Sequence, residues 1–350
     1  MTEMLYIYRL MRIYIDIAHP SYAHALRLFI SEMRGRGHEI LVSARDKDIT
    51  LKLLDAWRIG YINRGKGARS LLGKYSYLIG VIYKLLPVVR NFRPDLVMSY
   101  SSYHAALTGK ILGVPVITFE DTELVPLMHR VNRMLSALMV TPACYEADLG
   151  PRHVRYEGYK ELASLYPSRF KPLPLPDSVK KPYVILRFVS WKAWHDKGHP
   201  GIGEKMKHII AEKLSEFGRV YVLSEEPLSG GLSRYGYNGD CTLVHSLLAG
   251  ASLYFGESAS MAAEAAMLGV PAVYIDNEGR GYTRELEKVH SLIYNFGEDE
   301  ESVNHALNKA VTLLGDPDLA EKWQIKRMKM LNGKIDLTAW MVELAEGFNF

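Results

Sequence analysis

The sequence predicts an α/β protein made of two domains with parallel sheets. Three observations carry this. The chain has 350 residues, more than one core usually serves and comfortable for two. Short apolar runs alternate with longer helical stretches from residue 13 to about 141 and again from residue 183, the rhythm of βαβ units. Between them, residues 150–176 are rich in Pro, Tyr and basic side chains and read as a connector. On this reading residues 1–160 form the first domain, 161–180 a linker and 181–350 the second, with the last helices free to pack back on the first domain.

Residues 13–17 form a buried-type strand, followed by the loop Ala18-His-Pro-Ser21, a helix to about Arg36 and a strand at 40–42. Ligands of parallel sheets sit beyond the carboxyl ends of strands, where His19, Tyr22 and His24 fall. A histidine there serves as a general base or as a donor to a ligand oxygen. A structural hydrogen bond accounts for His24 equally well. Arg45 to Asp48 leads into a helix ending near Trp57, and Asn63-Arg-Gly-Lys-Gly-Ala-Arg69 is a basic Gly-rich loop without the Gly-Lys-Ser/Thr ending of a P-loop. Arg64, Lys66, Arg69, Lys74 and Lys84, with Tyr75, Tyr77 and Tyr83, read either as a membrane-surface patch or as a solvated helix face, the plainer account. A strand at 94–100, a helix capped by Ser101-Ser102 and a strand at 116–119 follow. That strand ends in Glu120-Asp-Thr-Glu123, and acids crowded at a strand end make Glu120 a candidate catalytic group. A strand at 138–141 closes this half.

The second half opens with the strand 183–189. Its next loop, from Ser190 to Gly203, packs two tryptophans, His195, Asp196 and His199 into a few residues, which favours a catalytic or substrate-gripping role with Arg187 as a phosphate partner. His195-Asp196 and His199 approach metal-ligand spacing, but no third ligand is assignable, so no metal site is read. Ser224, ending the strand 219–223, joins the phosphate-binding set. Leu253 to Ile275 is a compact βαβ unit: strand, turn at Gly256, Ala- and Met-rich helix, stop at Gly269, Pro271, strand. Its helix start offers backbone N–H groups and the hydroxyls of Ser258 and Ser260 to an anion. Capping is the plainer account of the hydroxyls. A capping box, however, sets its acid three residues after the cap, and Glu264 lies four past Ser260, so Glu264 reads as facing a ligand or solvent.

Composition narrows the partners. Apolar residues make up 48% and charged residues 23%, ordinary for a folded globular chain, which excludes extensive disorder. The net charge of +4 suits a phosphate-bearing ligand, but the charges are dispersed, so no nucleic acid is expected. Cys144 and Cys241 lack metal-ligand spacing and fit a reducing, cytoplasmic setting. Residues 1–10 lack the pattern of a secretory signal, and either Met1 or Met11 serves as a start. The apolar run 77–89, broken by Lys84 and Pro87, is too short for a bilayer span, leaving a soluble protein with weak peripheral membrane contact at most.

The pattern Gly256…Ser258-x-Ser260…Glu264-Ala-Ala…Leu268-Gly-Val-Pro271 is similar to that of the GT-B glycosyltransferases and the UDP-N-acetylglucosamine 2-epimerases. More closely, the chain resembles the mainly archaeal family called domain of unknown function 354. The residues that carry this are Ile15-Asp-Ile-Ala-His-Pro20, Arg34-Gly-Arg-Gly-His-Glu39, Ser43-Ala-Arg-Asp-Lys-Asp48, Phe119-Glu-Asp-Thr-Glu123, Gly158-Tyr-Lys-Glu-Leu162, Arg187-Phe-Val-Ser-Trp191 and His195-Asp196. The resemblance implies a GT-B-like fold of two facing domains with a cleft between them. It implies a nucleotide sugar, uridine-linked, as substrate, an acceptor of unknown kind, and no required cofactor. Ser258 and Ser260 would hold the phosphates, Glu264 the ribose, with Arg187 and the His195 loop close by, and His19 or His24 would stand where related transferases keep a base. The Gly-rich turn of the peptidoglycan transferase and the epimerase run His-Arg-Arg-Glu-Asn are both absent. Metal-independent glycosyl transfer leads, with epimerisation and non-catalytic nucleotide-sugar binding as alternatives.

Overall fold

The computed structural model describes residues 9–68, 70–189, 200–224 and 227–348. Residues up to Ser164 and from Ile335 onward form one compact unit, and Leu165–Lys334 the other.

The first unit runs β1 (Arg12–Ile17), α1 (Pro20–Gly35), β2 (Glu39–Ala44), α2 (Thr50–Ala56), β3 (Ile62–Asn63), α3 (Leu71–Phe92), β4 (Leu96–Tyr100), α4 (Tyr103–Leu112), β5 (Val116–Phe119), α5 (Pro126–Leu135), β6 (Leu138–Pro142), β7 (His153–Tyr156) and α6 (Leu162–Leu165). Its seven strands are parallel, in the order β3-β2-β1-β4-β5-β6-β7. Central strands of such a sheet are covered on both faces, so β1 and β4 are apolar almost throughout. One core gathers Ile13, Ile15, Leu26 and Phe29; another gathers Tyr14, Val81, Leu85 and Val97 on the α3 and α4 side.

The second unit runs β8 (Tyr183–Phe188), α7 (Glu204–Leu214), β9 (Arg219–Ser224), α8 (Val244–Ala249), β10 (Leu253–Gly256), α9 (Ala259–Leu268), β11 (Ala272–Ile275), α10 (Gly281–Lys288), β12 (Ile293–Phe296), α11 (Glu300–Leu314) and α12 (Leu319–Leu331). Its parallel sheet has the order β12-β11-β10-β8-β9. The last helix, α13 (Leu337–Glu346), belongs to the first unit. Its Glu346 pairs with Arg36 at 3.0 Å and with His38 at 3.1 Å, and Thr338 donates to the carbonyl of Ala163. His38 accepts the backbone N–H of Met11 at Nδ1, so its Nε2–H faces Glu346. The Arg34–Glu39 motif therefore anchors the amino end of β2 rather than a ligand.

Several elements escape the sequence reading, among them β12, a strand in a stretch that reads as largely helical, and three in the first unit. β7 lies in the stretch read as connector and is an edge strand paired only with β6. β3 spans two residues, too few to leave an apolar run. α5 was signalled only by Pro126 at its first turn. The apolar run at 77–89, expected to be too short for a bilayer span, is part of a longer apolar helix. Leu72–Phe92, inside α3, is among the described residues the one stretch long and apolar enough to cross a membrane, by length and composition alone.

Gly256 has a packing reason. Paired with Arg187 across β10 and β8, it leaves no room for a side chain: a Cβ there would meet the Arg187 carbonyl oxygen at 2.3 Å and its nitrogen at 2.9 Å. Both atoms are backbone and cannot yield without parting the strands. Gly256→Ala should therefore lower stability by about 1–3 kcal/mol in urea unfolding, and an unchanged midpoint would refute the close approach.

Candidate functional site

In an open parallel sheet a ligand binds beyond the carboxyl ends of the strands, where the strand order reverses. In the first unit that point lies between β1 and β4; in the second it lies between β8 and β10.

Asp16, next to last in β1, is fully buried. Its carboxylate accepts from the Ser43 hydroxyl at 2.6 Å, Arg64 Nε at 2.9 Å and the Ser102 hydroxyl. Burial pushes its pKa up, but Arg64 and the two hydroxyls outweigh burial and hold it below the ordinary carboxylate value. Arg64 also donates to Tyr77, whose hydroxyl reaches the carbonyl of Gly65. Arg64 and Tyr77 thus turn inward, against their placement on an outer basic patch. An unpartnered arginine costs more buried than in water, and Asp16 is the acid that makes this side chain an inward one.

Glu120 follows β5 and is also fully buried, its oxygens accepting from Ser101 at 2.6 Å and from Asn132 at 2.9 Å. Burial pushes its pKa up to about 8, against the pull of those two donors. His129 Nε2 stands 3.6 Å away, and burial pushes the imidazole pKa down. Both shifts favour a neutral acid facing a neutral base. Glu120 is therefore an enclosed, proton-holding group rather than an exposed base.

Beside it, Asp121 pairs with the buried Lys160, which lies 3.4 Å from Glu161 and over the ring of Tyr22. Tyr22 stacks on Tyr100 at 5.1 Å and donates to Asp121 at 3.4 Å. His19 joins through its ring contact with Tyr22 at 5.7 Å. As N-cap of α1 it accepts the N–H of Ser21 at Nδ1, which fixes the neutral ring's hydrogen on Nε2, a donor. His24 is not part of this group; it is buried against Trp57 at 5.0 Å. Segments far apart in sequence, at Asp16–His19, Glu120–Asp121 and Lys160–Glu161, thus share the carboxyl edge of one sheet. Lys160 was legible only as part of a motif, because its partners lie far away in sequence.

In the second unit, Ser258 caps α9, accepting from Met261 at 3.4 Å, so the plainer account of that hydroxyl holds. Ser260 sits half-buried in the first turn. Glu264 is neither solvated nor alone: it is buried with His245 of α8, 3.2 Å away. Arg187 is next to last in β8 and Ser224 ends β9, where it lines a groove with Phe188, Val189, Glu204 and Lys207.

Two further carboxylates escape the sequence reading. Buried Glu257 accepts from Val189 N at 3.0 Å and Ile202 N at 2.7 Å; buried Glu298 accepts from Gly201 N at 3.0 Å. They pin both stems of the loop after β8. The rule that flagged Glu120, an acid at the end of a buried strand, would have flagged Glu257. His195 and Asp196 lie outside the described residues. Among the described residues no cluster of three or more His, Cys, Asp and Glu side chains is arranged to hold a metal ion.

No family model matches the chain. An uncharacterized protein from Methanocaldococcus jannaschii is 21% identical over 289 residues, covering 75% of this chain and 80% of that protein. Among solved structures, a putative UDP-N-acetylglucosamine 2-epimerase from Listeria monocytogenes is similar with a TM-score of 0.68 at 12% identity, covering 97% of this chain and 98% of that one. A spinosyn rhamnosyltransferase in complex with spinosyn aglycone scores 0.64 at 13% identity, over 96% and 100% of the two chains. The complex of S. aureus MnaA with UDP scores 0.67 at 14% identity, over 96% of each chain. The chain has the GT-B fold of two Rossmann-like units.

Two predictions follow from the buried acids. Asp16→Ala leaves Arg64 buried without its carboxylate and should cost about 3–5 kcal/mol in denaturant unfolding; a loss under one would show that Arg64 finds water instead. For Glu120, the unfolded carboxyl titrates near 4.5 and the folded one near 8, so the folded state holds the extra proton between them. The stability from this group is complete below the lower value, falls as pH rises and is lost above the upper one. Glu120→Gln should flatten that decline in a Tm-against-pH series, and an unaltered slope would contradict the buried neutral acid.

Proposed function

We propose that the protein is a GT-B-type enzyme of nucleotide sugars, with glycosyl transfer as its reaction. The observation that carries the reading is the β8/β10 reversal point, where the amino end of α9, Ser260 and Glu264 lie on one βαβ unit and His245 of the preceding helix α8 pairs with Glu264. The likeness to folds solved with UDP and with a transferase aglycone supports the same ligand class. In this reading the α9 backbone N–H groups and Arg187 receive the diphosphate and stabilise it as a leaving group without a metal. Glu264, held by His245, accepts from the ribose hydroxyls of a uridine-type nucleotide. His195 and Asp196 belong to the reacting side. The first unit carries the acceptor, activated by His19 or Asp121, with the enclosed, proton-holding Glu120 beside them rather than acting as the base, and with His24 packed on Trp57. We further propose membership in the archaeal family of unknown function 354, on the motifs quoted above, and a cytoplasmic setting, on the two widely separated cysteines of the sequence.

The likeness to 2-epimerases favours a second reading, epimerisation at the same nucleotide site. Incubation with nucleotide sugar alone separates the two, since only the epimerase forms an epimer without an acceptor.

Calorimetry with uridine and thymidine diphosphates and their sugars tests the shared site. Selective binding is expected, weakened roughly tenfold or more in Glu264→Ala through loss of a charged hydrogen bond. No binding across the panel would remove the reading.

A further inference from the structure

Helices α3, α4 and α5 stand side by side on one face of the first unit's sheet, and their composition departs from the rest of the chain. Overall, 43 basic residues meet 39 acidic ones. These three helices contain Lys74, Lys84, Arg90, Lys110, Arg130 and Arg133, and no Asp or Glu. The apolar pattern is equally lopsided. α3 buries Val81, Leu85 and Val89 in the core, as a sheet-covering helix must. Its opposite side nonetheless presents Leu72 at 87% exposure, Tyr75, Ile79 and Tyr83 at 84%, spaced three, four and four residues apart on one outer stripe. α5 adds Leu127 at 73% and Met134, and α4 adds Ile111. Exposed apolar side chains scattered singly are ordinary; a stripe continued over neighbouring helices is not.

We propose that this face docks in the plane of a membrane surface rich in anionic lipid. Charge decides the occupant. A second copy of the chain would set six cations against six. Nucleic acid would accept the cations but give Leu72, Ile79, Leu127 and Met134 nothing to enter. An interface of acidic head groups over acyl chains matches both halves of the face, with the apolar stripe entering the head-group boundary and the tyrosines lying at its level. α3 is long and apolar enough to span a bilayer, but its packed face stays on the sheet, so it lies along the surface. The inference is independent of the nucleotide-sugar reading.

Co-sedimentation of the full chain with vesicles tests it, comparing phosphatidylcholine alone with phosphatidylcholine containing about one third phosphatidylglycerol, at low and high salt. Pelleting with the anionic vesicles only, reduced by salt, is expected. The variant Leu72→Ser/Tyr83→Ser/Leu127→Ser should partition roughly tenfold less. Arg90→Glu/Lys110→Glu/Arg130→Glu should lose roughly a hundredfold or more. All six positions are exposed, so unchanged thermal unfolding in each variant checks that the fold is intact. Absence of pelleting at low salt, equal pelleting with both vesicle types, or variants that pellet like the parent would each overturn the proposal. Retention on an immobilised acidic protein without vesicle binding would assign the face to a protein partner and overturn it as well.

Discussion

The carboxylate of Asp16 is the interaction on which the first unit's edge depends. It ties together the end of β1, Ser43 of β2, Arg64 after β3 and Ser102 at the start of α4. Those segments meet where the strand order reverses, so the loop conformations there rest on one buried charge. Burial alone would make that charge unfavourable; Arg64 and the hydroxyls outweigh it. The neighbouring acid shows the contrast. Glu120 has hydrogen bonds but, among the described residues, no Lys or Arg partner, and burial pushes its pKa up.

The second unit solves the same problem with backbone donors. Glu257 and Glu298 receive N–H groups from both stems of the loop after β8, where a parallel sheet offers no strand partner for them. Gly256, immediately before Glu257, lets β10 approach β8 closely enough for Glu257 to reach Val189. The two residues act together: one removes a side chain so that the next can span the strands. The sequence places a turn at Gly256; in the structure it is the last residue of β10, and its missing side chain serves the packing of two strands.

Much of the candidate site was legible because its signals are local. Helix starts at Ser102 and Ser258, the stop at Gly269, and apolar strands of four to six residues each leave a signature within a few positions. The pairings were not legible. Nothing near Glu264 in sequence announces His245, nothing near Asp121 announces Lys160, and Arg64 reads as surface charge until Asp16 lies beside it. His19 and His24 read alike in a loop-to-helix segment; α1 and its neighbours then turned one toward Tyr22 and the other toward Trp57.

The sequence alone determined the fold class, the order of most elements and the ends of strands as the place where polar residues gather. Periodicity, caps and turn glycines are short-range constraints that hold whatever the rest of the chain does. Only the tertiary structure decided which polar residues are buried in pairs, which pin loops and which face outward with an apolar stripe. Those outcomes depend on contacts between residues tens to hundreds of positions apart. The cost of burying an unpaired charge selects among such contacts, and that cost exists only once the strands have been brought side by side.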